Sequence, residues 1–201
     1  MTLFVVRARA APVDPDAFRA AIGRGVGVEY LAEIIRHALF ISQGHRSEVT
    51  LQLVLEKSAD YSRVLTIKGS ALGAVSDLHE EALLALIVDA LTAARGLGRE
   101  ERVTDARGVE IQAISFESLV KSLAGTHPVH VLTPDGEDIR GLTITGDPVF
   151  VMTDHTPMPK NTYKSMARQG VKPVSVGPKM LHAAQCITLI NNELDRREIG
   201  G

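Results

Sequence analysis

From Val109 onward the chain alternates short apolar strands with short helical stretches, and this alternation is the strongest constraint on its fold. Val109 to Ile114 reads as a strand and Ser115 to Leu123 as a helix closed by Gly125. Val129 to Leu132 is a strand that runs into a Thr133-Pro134-Asp135-Gly136 turn. Pro148 to Met152 is the next strand, and Asn161 to Arg168 a short helix with Gly170 past its end. Pro173 to Val176 is a strand, and Met180 to about Arg197 the last helix, where Arg196 and Arg197 suit the negative end of the helix dipole. Such alternation indicates an α/β fold: a mostly parallel sheet flanked by helices.

The first half follows a looser version of the same pattern. Leu3 to Arg9 reads as a strand, and Ala11 to Val28, which holds Pro12, Pro15, Gly23, Gly25 and Gly27, as a turn-rich stretch. Glu29 to Ser42 has helical periodicity and ends at Gly44. Val49 to Leu55 and Val64 to Ile67 read as strands. Ser76 is placed to cap a helix whose first turn holds Asp77, Glu80 and Glu81 and which runs to about Arg95, with Gly96 as its stop. Arg95 to Arg107 is polar and reads as a surface loop. No repeat or linker interrupts the 201 residues, and 45% apolar content suffices for one core, so residues 1–201 are read as a single domain.

Composition removes several function classes. Aromatics are 4% and Trp is absent, which argues against a base-stacking platform for single strands. The formal net charge is -2, so any nucleic-acid contact must come from a local patch and not from bulk charge. Cys186 is the single cysteine, so neither an internal disulfide nor a cysteine-based zinc site can form; no metal is expected. A reducing, cytoplasmic location is the default. Met1 to Ala11 lacks the order of a signal peptide, and the apolar run Ala82 to Leu91 is cut by Asp89, so no membrane association is expected.

Two local features compete for a ligand. Gly23-Arg24-Gly25-Val26-Gly27 looks like a dinucleotide-binding glycine loop, but that motif works only between a core strand and a helix. The residues before it are polar and contain prolines, so it reads as a surface loop. The second feature is three strand-ends that run into small or polar residues: Leu132 to Gly136, Thr153-Asp154-His155, and Ser175 to Leu181. Ligands of open α/β sheets bind beyond the carboxyl ends of strands. Taken alone, ordinary strand-to-helix turns explain this pattern more often than a site does.

Charge adds a separate hint. No acidic residue occurs from His155 to Asn192, whereas Lys160, Lys164, Arg168, Lys172 and Lys179 all fall there. A local basic zone of this kind steers phosphate, although a solvated lysine face is the plainer reading. Arg7, Arg9, Arg24, Arg36 and Arg46 would extend the surface, while Asp14, Asp16, Glu29 and Glu33 dilute it.

An ordered set of segments then points to a family. The stretch Gly146 to His155, including Pro148-Val149-Phe150-Val151-Met152-Thr153-Asp154-His155, resembles the corresponding strand and turn of the TrmY family of tRNA (pseudouridine-54 N1) methyltransferases. Ser175 to Asp195, with Leu181-His182-Ala183 and Cys186-Ile187-Thr188-Leu189-Ile190, resembles its carboxyl-terminal end. Phe4 to Ala8, Ala38 to Ser42 with Arg46 and Val49, and Gly69 to Leu72 resemble segments of its front half, so the resemblance spans nearly the whole chain in order.

The resemblance implies a SPOUT fold with a carboxyl-terminal trefoil knot, a homodimer, S-adenosylmethionine (SAM) as cofactor and RNA, specifically tRNA, as partner. By motif position the SAM contacts fall on Leu132, Thr153, Ser175, Val176, Gly177, Pro178, Lys179, Met180 and Cys186. Thr153 departs from the family, which has glycine there; a β-branched residue narrows the approach, and its hydroxyl adds a donor. Candidate RNA contacts are Arg7, Arg9, Arg46, Lys160, Lys164 and Arg168. Pseudouridine carries a proton on N1, and catalysis asks chiefly for collinear placement of nitrogen, methyl and sulfur, with reacting atoms roughly 3–3.5 Å apart. Asp154 and His155 are the candidates for removing that proton. A free carboxylate, with pKa about 3.9, is a poor base for it, and a neutral imidazole a better one. The alternatives are methylation of a different RNA target and a non-catalytic RNA-binding or assembly factor.

Overall fold

The computed structural model describes residues 1–25, 27–72 and 79–199. The chain begins with strand β1 (Thr2–Pro12), followed by helix α1 (Pro15–Ala21) and helix α2 (Tyr30–Leu39). A small hairpin, β2 (Phe40–Ile41) and β3 (Gly44–His45), leads into β4 (Val49–Lys57) and β5 (Arg63–Lys68). Helix α3 (Glu80–Ala93) precedes the short strands β6 (Arg102–Thr104) and β7 (Glu110–Gln112). Then come helix α4 (Phe116–Ala124), β8 (Val129–Asp138), β9 (Val149–Thr153), helix α5 (Lys160–Arg168), β10 (Lys172–Ser175) and helix α6 (Ala183–Ile199).

All strands except the small hairpin join one eight-stranded sheet in the order β10-β8-β9-β1-β4-β5-β7-β6. The pairs from β10 to β4 are parallel, and those from β4 to β6 are antiparallel. The α/β architecture read from the sequence therefore holds, with an antiparallel flank added to a parallel half.

Side-chain alternation sorts the sheet's two faces. Phe4, Val6, Leu51, Leu53, Leu55, Phe150 and Met152 pack with α1, α2, α3 and α6. Val5, Val54, Val149 and Val151 pack with Phe116, Leu119 and Val120 of α4 and with Met166 of α5. Burial on both faces is why these central strands read as near-continuous apolar runs.

Several local readings need correction. The stretch from Ala11 to Val28 is not all turn: Asp14 accepts the Ala17 N–H at 2.8 Å and caps α1, with Pro15 at its first position. The loop from Arg95 to Arg107 contains β6, an edge strand with exposed Arg102 and Thr104. The Thr133 to Gly136 turn is an excursion within β8: β10 pairs Pro173 with Val131 and then Val174 with Glu137, so the intervening residues bulge out of register. Helix α6 starts at Ala183 and not at Met180, because residues 176–182 form a loop after β10. The expected Ser76 cap and Asp77 lie outside the described residues, and α3 begins at Glu80. Gly96 has φ +75°, as a helix stop requires.

Candidate active site

The carboxyl ends of β8, β9 and β10 lie at one edge of the parallel half, because β8 runs parallel to both β10 and β9, between which it lies. At the end of β9 the chain turns tightly. The Thr153 hydroxyl donates to the Thr156 carbonyl at 2.6 Å, and Asp154 Oδ1 accepts the Thr156 N–H at 2.8 Å. The Asp154 N–H reaches back to the Arg7 carbonyl of β1 at 3.1 Å. Asp154 Oδ2 accepts the Tyr30 hydroxyl from α2 at 2.9 Å. Burial first, and then the charge of Asp154 and its hydrogen bond, push the Tyr30 phenol well above its ordinary value, so it stays protonated and donates. His155 is exposed, and its ring meets the Tyr30 ring edge-on at 5.0 Å. Asp154 thus has both oxygens engaged, whereas the His155 imidazole projects to solvent.

At the end of β10 the loop is short and self-braced. Ser175 Oγ accepts the Gly177 N–H and donates to the Gly177 carbonyl, both at 3.1 Å. Gly177 has φ +136°, a conformation that a side chain would strain. Pro178, Lys179 and Met180 are exposed, with Met180 82% accessible. Leu132, Val176 and Leu181 are half-buried against the main core and present apolar surface beside these loops. Gln185 Oε1 accepts the His182 N–H at 3.0 Å at the start of α6. Cys186 is buried one turn further on, and burial pushes its thiol up, so it is a poor nucleophile. The far end of β8 crosses the backbone of β10 so closely that a Cβ on Gly136 would lie 2.5–2.7 Å from Val174 backbone atoms.

Two cavities among the described residues lie elsewhere. One, of about 140 Å³, sits near the amino ends of β8 and β10 and includes His127, His130, Gln169 and Lys172. The other, of about 390 Å³, is an open cleft between α2 and α6 lined by Arg36, His37, Asn191 and Asp195. The strand-end loops form an open shelf. Among the described residues no group of three His, Cys, Asp or Glu side chains is placed to hold a metal ion, and no helix is long and apolar enough to cross a membrane.

Comparison with known proteins gives this shelf its context. A family model described as "Putative SAM-dependent RNA methyltransferase" matches residues 1–199. The chain belongs to this family of SAM-dependent RNA methyltransferases. It is 43% identical over 200 residues to a protein of Vibrio cholerae named "Putative pseudouridine methyltransferase", covering 100% of both chains. It is 42% identical to a protein of the same name from Alcanivorax borkumensis over 196 residues, 97% of this chain and 98% of that one. Among solved structures, Nep1 of Archaeoglobus fulgidus, bound to S-adenosylhomocysteine, superposes with a TM-score of 0.58 at 10% identity, covering 98% and 99% of the two chains. That likeness is one of fold.

The shelf residues fit the family's cofactor. Leu132, Val176 and Leu181 offer apolar walls to an adenine, and the Ser175 to Leu181 loop offers backbone polar groups around a glycine that no side chain crowds. The Thr153 hydroxyl is spent inside its own turn and is not a free donor.

The basic residues divide into two groups. Arg7 is a correction: it is not a surface contact for RNA. Its side chain is 8% exposed and lies between two sheet strands and two helices. Nε and Nη2 bond the Glu56 carboxylate at 2.9 Å each, Nη2 reaches Glu117 at 3.0 Å, Nη1 donates to Thr162 Oγ1 at 3.3 Å, and the guanidinium sits 4.3 Å over the Phe116 ring. A charged residue in the otherwise apolar Phe4 to Ala8 run was the signal for such a buried pair. Arg46 is engaged by Asp195 through two bonds of 2.7 Å, and Arg9 Nη1 donates to the Pro157 carbonyl at 3.3 Å. Lys160, Lys164 and Arg168 are exposed at four-residue spacing on α5, and none of them appears in an ion pair among the described residues. Tyr30 is the site residue that sequence reasoning missed; it is 124 residues from Asp154 along the chain.

Proposed function

We propose that the protein transfers the SAM methyl group to N1 of pseudouridine, with position 54 in the T-loop of tRNA as the target. The observation that carries this reading is the end-to-end 43% identity to a relative named as a pseudouridine methyltransferase. The strand-end shelf supports it by placing the motif residues at one edge of the sheet. Leu132, Thr153, Ser175, Val176, Gly177, Pro178, Lys179, Met180 and Cys186 are assigned to SAM; bound there, SAM supplies a methyl group made electrophilic by its sulfonium.

The chain's own part is to place the base and take up a proton. His155, exposed beside the shelf, is assigned as the acceptor of the N1 proton. Asp154, whose two oxygens already accept from Thr156 and Tyr30, holds the turn that carries His155. Lys160, Lys164 and Arg168 are assigned to RNA phosphates; they follow the 153–157 turn directly and carry no described ionic partner. Arg9 stands beside this surface, bonded to the Pro157 carbonyl, whereas Arg46 is paired with Asp195 in the cleft between α2 and α6.

We assign residues 1–201 to a single SPOUT domain with a carboxyl-terminal trefoil knot. In support, the Ile139 N–H bonds the Ser175 carbonyl, and Arg197 of α6 donates to the carbonyls of Ile139 and Leu142, so the carboxyl-terminal segment is bound to the loop between β8 and β9. A homodimer formed in part through α6 is supported by Leu189, a large apolar side chain left 40% exposed. The place of action is the cytoplasm, where tRNA is processed.

The test is methyl transfer from labelled SAM to two tRNA transcripts, one with pseudouridine and one with uridine at position 54. Label entering only the first is expected. Label entering another RNA, or pseudouridine elsewhere, overturns the position-54 assignment, and no transfer to any RNA overturns the catalytic one.

A further inference from the structure

We infer that Tyr30 is a positioning residue for methyl transfer, its hydroxyl and its ring together fixing the Asp154–His155 turn against α2. The inference rests on the reading that this turn borders the acceptor base.

The turn has internal and external ties. Internally, Thr153 bonds Thr156 and Asp154 Oδ1 accepts the Thr156 N–H. These bonds fix the shape of the turn but not its placement on the molecule. Two ties do that. The Asp154 N–H bonds the Arg7 carbonyl and fastens the turn to β1. The Tyr30 hydroxyl bonds Asp154 Oδ2 and fastens it to α2. The second tie comes from a side chain that is itself half-buried, so its donor is held in place.

The ring acts on the next residue. Tyr30 meets His155 edge-on, 5.0 Å between centroids and 85° between planes. An exposed imidazole has two freely rotating torsions, and an aromatic edge on one side removes part of that freedom. One residue therefore holds the carboxylate through its hydroxyl and the imidazole through its ring.

The glycine-rich stretch that looked like a cofactor loop has a role in this arrangement. Glu29, directly before Tyr30, folds back so that its carboxylate accepts the Gly23 N–H. That bond is the largest cause holding the Glu29 carboxyl below its usual range. A Cβ on Gly27 would overlap the Glu29 carboxylate in this position, so a side chain there would displace it. The bond to Glu29 ties Gly23 to the residue before α2, whose first residue, Tyr30, reaches across to the end of β9.

Steady-state methyl transfer by Tyr30→Phe, with the full-length protein, SAM and the RNA substrate, tests the inference. The variant keeps the ring edge and drops the donor. The expected result is a fall in kcat of about tenfold with KM for SAM and for RNA within about twofold, because a loosened turn costs alignment and not binding. Asp154→Ala removes the same tie from the other side, and the double variant is expected to lose no more than the worse single one. A wild-type kcat for Tyr30→Phe while His155→Gln is impaired overturns the inference and leaves the catalytic reading standing. Wild-type turnover by His155→Gln and Asp154→Ala overturns both. A raised KM for SAM with unchanged kcat also overturns it, since the hydroxyl would then serve binding. If Tyr30→Phe does not fold, Asp154→Ala decides alone: a wild-type kcat there overturns the inference.

Discussion

The parallel half and the antiparallel flank of the sheet use polar residues in opposite ways. On the flank, charges neutralise one another locally: Arg102 pairs with Glu110 at 3.5 Å, Arg107 with Asp89 at 2.8 Å, and buried Arg63 is satisfied by the carbonyls of Tyr61 and Leu97. In the parallel half, one arginine is spent deep inside, while three basic residues on α5 and one imidazole stay open to solvent. The parallel half divides its polar groups between holding the sheet together and lining the surface proposed to meet RNA. Stability and chemistry therefore respond to different residues, and this separation can be attacked experimentally.

The largest effect is expected at Arg7. Arg7→Met leaves the Glu56 carboxylate poorly solvated and without its bidentate partner, at a cost of about 3–5 kcal/mol in urea unfolding. A loss under about 1 kcal/mol would mean that the cluster contributes little and that the parallel half has no charged keystone.

Two close-approach glycines sharpen the contrast. Gly136→Ala forces β8 away from Val174, and Gly69→Ala forces the segment after β5 away from the Arg46 carbonyl. Each should cost about 1–3 kcal/mol. Only Gly136→Ala should also weaken SAM binding by calorimetry, on the order of tenfold, because it displaces the loop after β10. Equal weakening in both would break the distinction.

The smallest effect on the fold is expected on α5. Replacing Lys160, Lys164 and Arg168 by Ala should leave the melting temperature nearly unchanged. RNA binding should fall on the order of tenfold, and the salt dependence of log K should flatten by roughly 2. Arg102→Ala and Arg107→Ala serve as controls, with stability changes within about 1 kcal/mol and no effect on RNA. An RNA effect from the controls matching that of α5 would place the phosphate contacts on the flank.

Local chemistry made some of this legible in the sequence. Leu31, Ile34, Ile35 and Ala38 mark one face of α2, and the helix read over Ser115 to Leu123 is α4, which starts at Phe116 with Ser115 as its cap, accepting the Ser118 N–H at 3.2 Å. Helix α1 was hidden because five Gly and Pro residues nearby outweigh one Asp-Pro start signal. Strand β6 was hidden because an exposed edge strand has no apolar pattern. The excursion in β8 depends on β10, some forty residues later, and no local turn signature reports it. The same limit applies at the candidate site. The strand-end loops could be read from local runs of small residues, whereas Tyr30 and the partners of Arg7 are joined to the site only by tertiary packing.

The Arg7 cluster also bears on the order of folding. Its partners lie 49, 110 and 155 residues away along the chain, at Glu56, Glu117 and Thr162. Contacts of such separation form only after the loop-closure entropy between them has been met. Because α4 and α5 follow β1 and β4 along the chain, the arginine cluster can be completed only after both helices have been synthesised. Docking of those two helices is therefore the late event on that face of the sheet, and the surface proposed to meet RNA is completed together with it.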